Sequence, residues 1–227
     1  MTTVDSRFPK EIHALWATLD KEITWLHGRW FIYRQLYGTS PERVELLNKS
    51  AGSFINILQE ILLHDVQLTL SKLDDPATSG RSPKIQKNMT LDALHKGLSV
   101  AGEVALADKM TASLQQFTDA CTKIRTRRNK WIAHFDLPTM LNQDVHPREN
   151  PSRDEVENAL KALRDVMDCV SVHYTNTSIG LGYEHYWMQA DGEALLHVLR
   201  CGLRYRELVE ADVIPQDDYR ELFHGKV

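Results

Sequence analysis

Within the stretch "RTRRNKWIAHFD", residues 125–136, three side chains have types and spacing suited to breaking a phosphodiester: Arg128, Asn129 and His134. RNA carries its own nucleophile, the 2′-hydroxyl. Cleavage therefore needs a base for that proton, an acid for the leaving 5′-oxygen and a cation for the charge gathering on phosphorus. The imidazole of His134 titrates near neutral pH and suits the proton transfers, a role worth roughly 10²- to 10⁴-fold in rate. The planar guanidinium of Arg128 suits a bidentate hold on phosphate oxygens. Asn129 can orient either group or hydrogen-bond the ribose. Nothing in this chemistry requires a metal or any other cofactor, and none is expected. Lys123, Arg125, Arg127, Arg128 and Lys130 concentrate positive charge on a chain whose formal net charge is −4. Arg125, Arg127 and Lys130 are accordingly candidate substrate-binding residues. Two plainer readings stay open: a solvated cationic helix face that complements the C-terminal end of the helix dipole, and a structural histidine between Ala133 and Phe135.

The placement of Arg128 sharpens the question. Apolar residues recur at steps of three and four through Met110, Leu114, Phe117, Cys121 and Ile124, then Arg128, then Trp131 and Phe135. A guanidinium among hydrocarbon neighbours costs several kcal/mol without a partner, so this position needs a buried carboxylate or a water-filled groove. Asp65 interrupts the stripe of the second helix in the same way. One reading joins the two, with Asp65 and Arg128 meeting across the bundle as a registry pair. His134 follows Arg128 by six residues, about 120° away on an unbroken helix, whereas Arg127 is about 20° away. Arg128 and His134 then converge only at a helix edge or across an interface. Trp131, on the seam, reads as core rather than as a platform for a base.

Helical period dominates the rest of the chain. A first helix is expected from about Pro9 to Tyr37, striped by Ile12, Leu15, Leu19, Leu26, Trp30, Tyr33 and Tyr37. A second opens at "TSPER", with Pro41 in its first turn, and carries Val44, Leu47, Ala51, Phe54, Leu58, Ile61, Asp65 and Leu68. The tract "DPATSGRSPKIQKN" is loop by composition, followed by a short helix, "TLDALHKGL". The seam with Arg128 predicts one uninterrupted helix from about Gly102 to Phe135. "SRDE" at Ser152 to Glu155 is a capping box opening a helix striped by Val156, Leu160, Leu163, Met167, Val170 and Tyr174. A last helix, about Gly192 to Glu210, carries Leu195, Val198, Leu199, Tyr205 and Leu208. The expected fold is all-α: an up-and-down four-helix bundle over residues 1–180, with a C-terminal helical extension, residues 181–227, packed on it.

Composition sets the outer bounds. A chain of 227 residues with 42% hydrophobic content can bury a substantial core. Cys121, Cys169 and Cys201 are far apart and form no CxxC pair, which points to core-filling thiols in a reducing compartment. The start, "MTTVDSRFPKE", has no apolar signal-peptide core, and no run approaches a membrane span, so a cytoplasmic protein without membrane contact is expected. There is no HExxH, no recognisable zinc spacing among the histidines, no GxGxxG or Walker loop opening a helix, and no nucleophile elbow.

At "RRNKWIAH" the chain resembles the HEPN superfamily, whose signature is Arg, usually followed by a polar residue such as Asn, with His after a short spacer. Arg128, Asn129 and His134 match with five intervening residues. The helical hairpin and the "LTLSKLDDP" turn before the motif resemble the abortive-infection branch, over about residues 10–175. The resemblance implies a four-helix domain that dimerises so that two Arg-and-His motifs share one cleft. It further implies a metal-independent endoribonuclease of phage defence or toxin systems, acting on RNA and answering to an antitoxin or another defence protein. By that carry-over Arg128 and His134 are catalytic and Asn129 supports them; Asp65 is at most a supporting residue. Some toxin members place a modifiable Tyr two residues after His, where this chain has Asp136. A catalytically silent helical module that binds RNA or protein, and a structural dimer held by Asp65 and Arg128, are the alternatives.

Overall fold

The computed structural model describes residues 8–133, 137, 141, 150–179 and 191–215. The fold is all-α. Its helices are α1 (Lys10–Tyr37), α2 (Pro41–Leu73), α3 (Leu91–Val100), α4 (Val104–Ala120), α5 (Thr122–Arg127), α6 (Arg153–Thr175) and α7 (Gly192–Glu210). A π-helical turn, Arg128–Ile132, continues α5. The tract read as loop contains a two-stranded hairpin, β1 (Thr78–Ser79) and β2 (Gln86–Lys87), antiparallel with Thr78 opposite Lys87 and Ser79 opposite Gln86.

The chain divides into two compact units, with boundaries at Arg29/Trp30 and Leu62/Leu63. The first holds α1 through Arg29, α2 from Leu63, the hairpin, α3 to α5, the π turn and α6. Its core is drawn largely from the expected stripes: Ile12, Leu19 and Leu26 of α1, Met110, Phe117, Cys121 and Ile124 of α4 and α5, and the whole stripe of α6 from Val156 to Tyr174 are buried, and Ile23, outside the expected α1 stripe, is buried with them. α4 packs along α6, and α3 against α4. Helix α6 starts where the capping box predicts: Ser152 accepts from the Glu155 amide and Glu155 accepts from the Ser152 amide. It stops at Asn176, whose left-handed backbone (φ 53°) closes the helix. Helix α3 is capped by Thr90 and turns Leu91, Leu94 and Leu98 inward.

The second unit holds Trp30–Leu62 and α7. Leu36, Tyr37, Leu47, Ile55 and Leu196 form its core, with Tyr33, Leu62 and Leu199 against it, and the Tyr37 hydroxyl donates to the Ile55 carbonyl at 3.0 Å.

Three expectations about helix faces are corrected. On α2 the backbone leaves helical geometry at Ala51 (φ −159°, ψ 58°), which resets the angular phase, so a count of threes and fours begun at Val44 does not carry across. Phe54 and Ile61 are exposed, together with Ile57; Ile55, Val66, Leu70 and Leu73 are buried instead. On α7 it is Leu196 and Val209 that are buried, while Leu195 and Val198 face solvent. Leu199 of the expected stripe does pack against the core beside Leu196. The helix expected from Gly102 to Phe135 is not one uninterrupted α-helix: it is marked by a turn at Cys121 and widens from Arg128 onward. Among the described residues, no helix is long and apolar enough to cross a membrane.

Two buried polar residues of the first unit make measurable contributions. Gln67 has no exposed surface, and among the described residues neither end of its carboxamide has a hydrogen-bond partner. Gln67→Met keeps the volume and removes the unsatisfied dipole; it is expected to raise stability by about 1–2 kcal/mol, read from the urea midpoint. His27 is buried, and burial, with the positive charge of Arg164, lowers its pKa from 6.5 to about 3. The unfolded chain therefore takes up a proton that the folded chain refuses. Stability from this group is complete above the unfolded pKa and is lost as pH falls below it, by about 2 kcal/mol near pH 5. His27→Gln is expected to flatten that part of the stability profile between about pH 7 and pH 5.

Candidate functional site

Helix α2 ends in the residues Lys72-Leu73-Asp74-Asp75-Pro76. Leu73 is buried, and Pro76 cannot extend the helix. The amides of Asp74 and Asp75 still donate back to the carbonyls of Leu70 and Lys72, so two consecutive carboxylates leave the chain on the last turn. Facing them are Arg125 of α5 and Arg128 at the start of the π turn, three residues and thus about one turn apart.

Each carboxylate takes one arginine. The Asp74 side chain, 2% exposed, accepts from Arg125 Nη1 at 2.7 Å and from the Thr118 hydroxyl at 2.6 Å. Arg125 Nη1 also donates to the Asp74 carbonyl at 3.2 Å. The hydrogen bond that Arg125 donates to Asp74 favours the charged form of the guanidinium. Beneath this pair the Cys121 thiol is buried; burial pushes its pKa up, and the Asp74 charge adds to the effect. It remains a core thiol, as its sequence context predicts.

Arg128 is held by Asp75. Its Nη1 donates to Asp75 Oδ1 at 2.9 Å and Oδ2 at 2.8 Å, and its Nε donates to Asn129 Oδ1 at 3.0 Å. Among the described residues Nη2 has no hydrogen-bond partner. The side chain is 17% exposed, so the guanidinium is desolvated enough to need its carboxylate while one edge still reaches solvent. Arg128 also opens the π turn, in which the Ala133 amide reaches back five residues to the Arg128 carbonyl at 2.8 Å. π turns are rare and concentrate at functional sites.

The expected Asp65–Arg128 registry pair is not formed. Asp65 pairs with Arg29, Oδ2 to Nε at 2.7 Å, and its side chain is 43% exposed, because the inward face of α2 at this level is Val66 and Leu70. The carboxylate sits on the flank of the helix, where water and Arg29 compensate it. Asp65 and Arg128 therefore serve different pairs.

The remaining candidates divide. Arg125 is committed to Asp74. Arg127 lies over the Trp131 ring, 5.9 Å from its centroid, and Trp131 is half-buried rather than core. Lys130 is half-buried and Asn129 is exposed. Lys123 pairs with Glu155, tying α5 to the first turn of α6. His134 lies outside the described residues, as does Asp136. Among the described residues no three His, Cys, Asp or Glu side chains are grouped as metal ligands.

Arg128 lines an open cleft of about 700 Å³, whose other walls are Lys72, Asp75 and Pro76, the hairpin residues Thr78, Ser79, Lys87 and Asn88, and Met89 and Thr90. Arg125 lines a separate, smaller cavity of about 230 Å³. Sequence reasoning missed Asp75, Lys72 and Lys87. The available signal was charge: between Asp75 and Asp92 the chain carries Arg81, Lys84 and Lys87 and no carboxylate.

The family model HEPN_AbiU2, described as AbiU2, matches residues 9–189, most of the chain and the whole of this site. No curated protein and no solved structure matches.

The two aspartates are expected to separate stability from site geometry. Asp74→Ala leaves the Arg125 charge and the Thr118 hydroxyl without their nearly buried acceptor and is expected to cost about 2–3 kcal/mol. Asp75→Ala is expected to cost about 1 kcal/mol or less, because both members of the Asp75–Arg128 pair keep some contact with water. Equilibrium urea unfolding of the two variants measures the difference.

Proposed function

The chain belongs to the AbiU2 family of HEPN proteins, and from that premise we propose that it is a metal-independent endoribonuclease acting in phage defence or a toxin system. The observation that carries the proposal is the guanidinium of Arg128. It is fixed at the wall of a nucleotide-sized cleft by Asp75 and Asn129, with the Nη2 edge left for a phosphate. Asp75 occupies one edge of the fork and sets its direction; two N–H donors remain for the phosphate oxygens.

In the proposed reaction the 2′-oxygen forms a bond to phosphorus as the bond from phosphorus to the 5′-oxygen breaks. A base takes the 2′ proton and an acid supplies one to the departing oxygen, leaving a 2′,3′-cyclic phosphate and a free 5′-hydroxyl. His134 takes the proton-transfer role, with His134 of a second copy completing the pair in a shared cleft. Arg128 stabilises charge on the phosphoryl oxygens, and Asn129 keeps the guanidinium in its plane. Arg127 and Lys130 contribute to binding the strand; Arg125, engaged by Asp74, holds the end of α2 in place. The homodimer is part of the proposal, and the exposed apolar stripe Phe54, Ile57 and Ile61 supports self-association. The proposed setting is the cytoplasm, with an antitoxin or another defence protein as a further partner.

The pairing of Arg128 with Asp75 also favours a second reading, a catalytically silent module in which the arginine is structural and RNA or protein is only bound. Incubation with a panel of RNAs in EDTA decides between them. The nuclease reading expects cyclic-phosphate ends that form in EDTA, with a loss of 10²-fold or more in rate for Arg128→Ala and for His134→Ala. Intact RNA, or cleavage unchanged in His134→Ala, contradicts it; salt-sensitive binding without cleavage supports the silent module.

A further inference from the structure

The hairpin between α2 and α3 is short, yet it is tied down at several points. Asn88 donates from its side chain to the Pro76 carbonyl and from its amide to the Ala77 carbonyl, both at 2.8 Å. The Ala77 amide donates to Asp92 in the first turn of α3 at 2.7 Å, and Ser79 donates to Asn88 at 3.3 Å. Gly80 turns with φ +87°, and a Cβ there would collide with the Lys84 carbonyl oxygen. The result is a fixed wall opposite Arg128.

That wall is cationic. Lys87 of β2 and Lys72 of α2 line the cleft with Arg128, against a single carboxylate, Asp75, that already pairs with the arginine. Among the described residues neither Lys72 nor Lys87 forms an ion pair, although both are exposed. Two uncompensated ammonium groups beside a guanidinium, on a chain of net charge −4, are poorly placed for stability and well placed for a polyanion. Hydroxyl-bearing Thr78 and Ser79 line the same cleft, and Arg81 and Lys84 add positive charge to the hairpin sequence.

We propose that the hairpin forms a phosphate-binding subsite for single-stranded RNA, in which Lys72 and Lys87 hold the backbone phosphate next to the one at Arg128. The subsite deepens the nuclease reading and rests on it. Its cleft volume suits one nucleotide unit, and the ammonium groups act as point charges that locate a strand without reading its sequence.

Fluorescence anisotropy with labelled single-stranded RNA tests this on the full chain carrying His134→Ala, which keeps the RNA intact. Adding Lys72→Ala and Lys87→Ala is expected to raise Kd about tenfold at moderate salt. It is also expected to reduce the slope of log K against log salt by about 0.7, the share of the one phosphate contact that the two lysines make. The Lys72→Arg, Lys87→Arg pair is expected to restore both values, and Lys10→Ala with Lys21→Ala, which removes the same charge elsewhere, to change them little. RNA binding unaffected by the Lys72 and Lys87 pair, or weakened equally by the control pair, overturns the subsite and leaves the nuclease reading standing. Failure of the starting protein to bind any RNA overturns both.

Discussion

Two adjacent carboxylates at the end of one helix, each holding an arginine from the next turn of another, set the geometry on which the site depends. Asp74 and Asp75 differ in what surrounds them. Asp74 is nearly sealed and doubly hydrogen-bonded, so its pair with Arg125 anchors the end of α2. Asp75, one residue further and just before Pro76, meets a guanidinium that still has a solvent edge. Consecutive residues thus give one pair suited to holding the structure and one suited to presenting a charge, because the chain emerges from the core between them. Removal of either aspartate disturbs the same helix junction by different amounts, since desolvation, and not Coulomb attraction alone, decides the cost.

The π turn and the hairpin complete what the aspartates begin. A wider turn at Arg128–Ile132 departs from the plain α-helix expected of the seam. Asn129 uses its exposed position to fix the plane of the guanidinium, the orienting role its chemistry allows. The hairpin, pinned to Pro76 and Asp92, brings Lys87 to the cleft that Arg128 lines, and α2 adds Lys72. Local chemistry and fold therefore converge on one cleft within a single compact unit.

Much of this was legible in sequence, and the exceptions have physical causes. The α6 stripe and its capping box could be read because a polar start signal and an unbroken period agree. The seam from Met110 to Ile124 could be read for the same reason. The oddity of Arg128 was visible, but its partner was not: a carboxylate some fifty positions away carries no local mark, and Asp65 looked equivalent until the backbone change at Ala51 altered the phase of α2. The α7 face was read about one position off, since adjacent Leu195 and Leu196 are equally apolar and only the second is buried. The hairpin escaped notice because two-residue strands have no period, and only the absence of acids around Arg81, Lys84 and Lys87 pointed to it.

The most direct measurement is a crystal structure of the His134→Ala protein bound to an RNA whose scissile nucleotide is 2′-deoxy, so that no cleavage intervenes. The account predicts a phosphate oxygen within hydrogen-bonding distance of Arg128 Nη2 while Asp75 remains on Nη1. A strand bound with no phosphate in reach of Arg128, and that side chain still engaged only by Asp75 and Asn129, would contradict it.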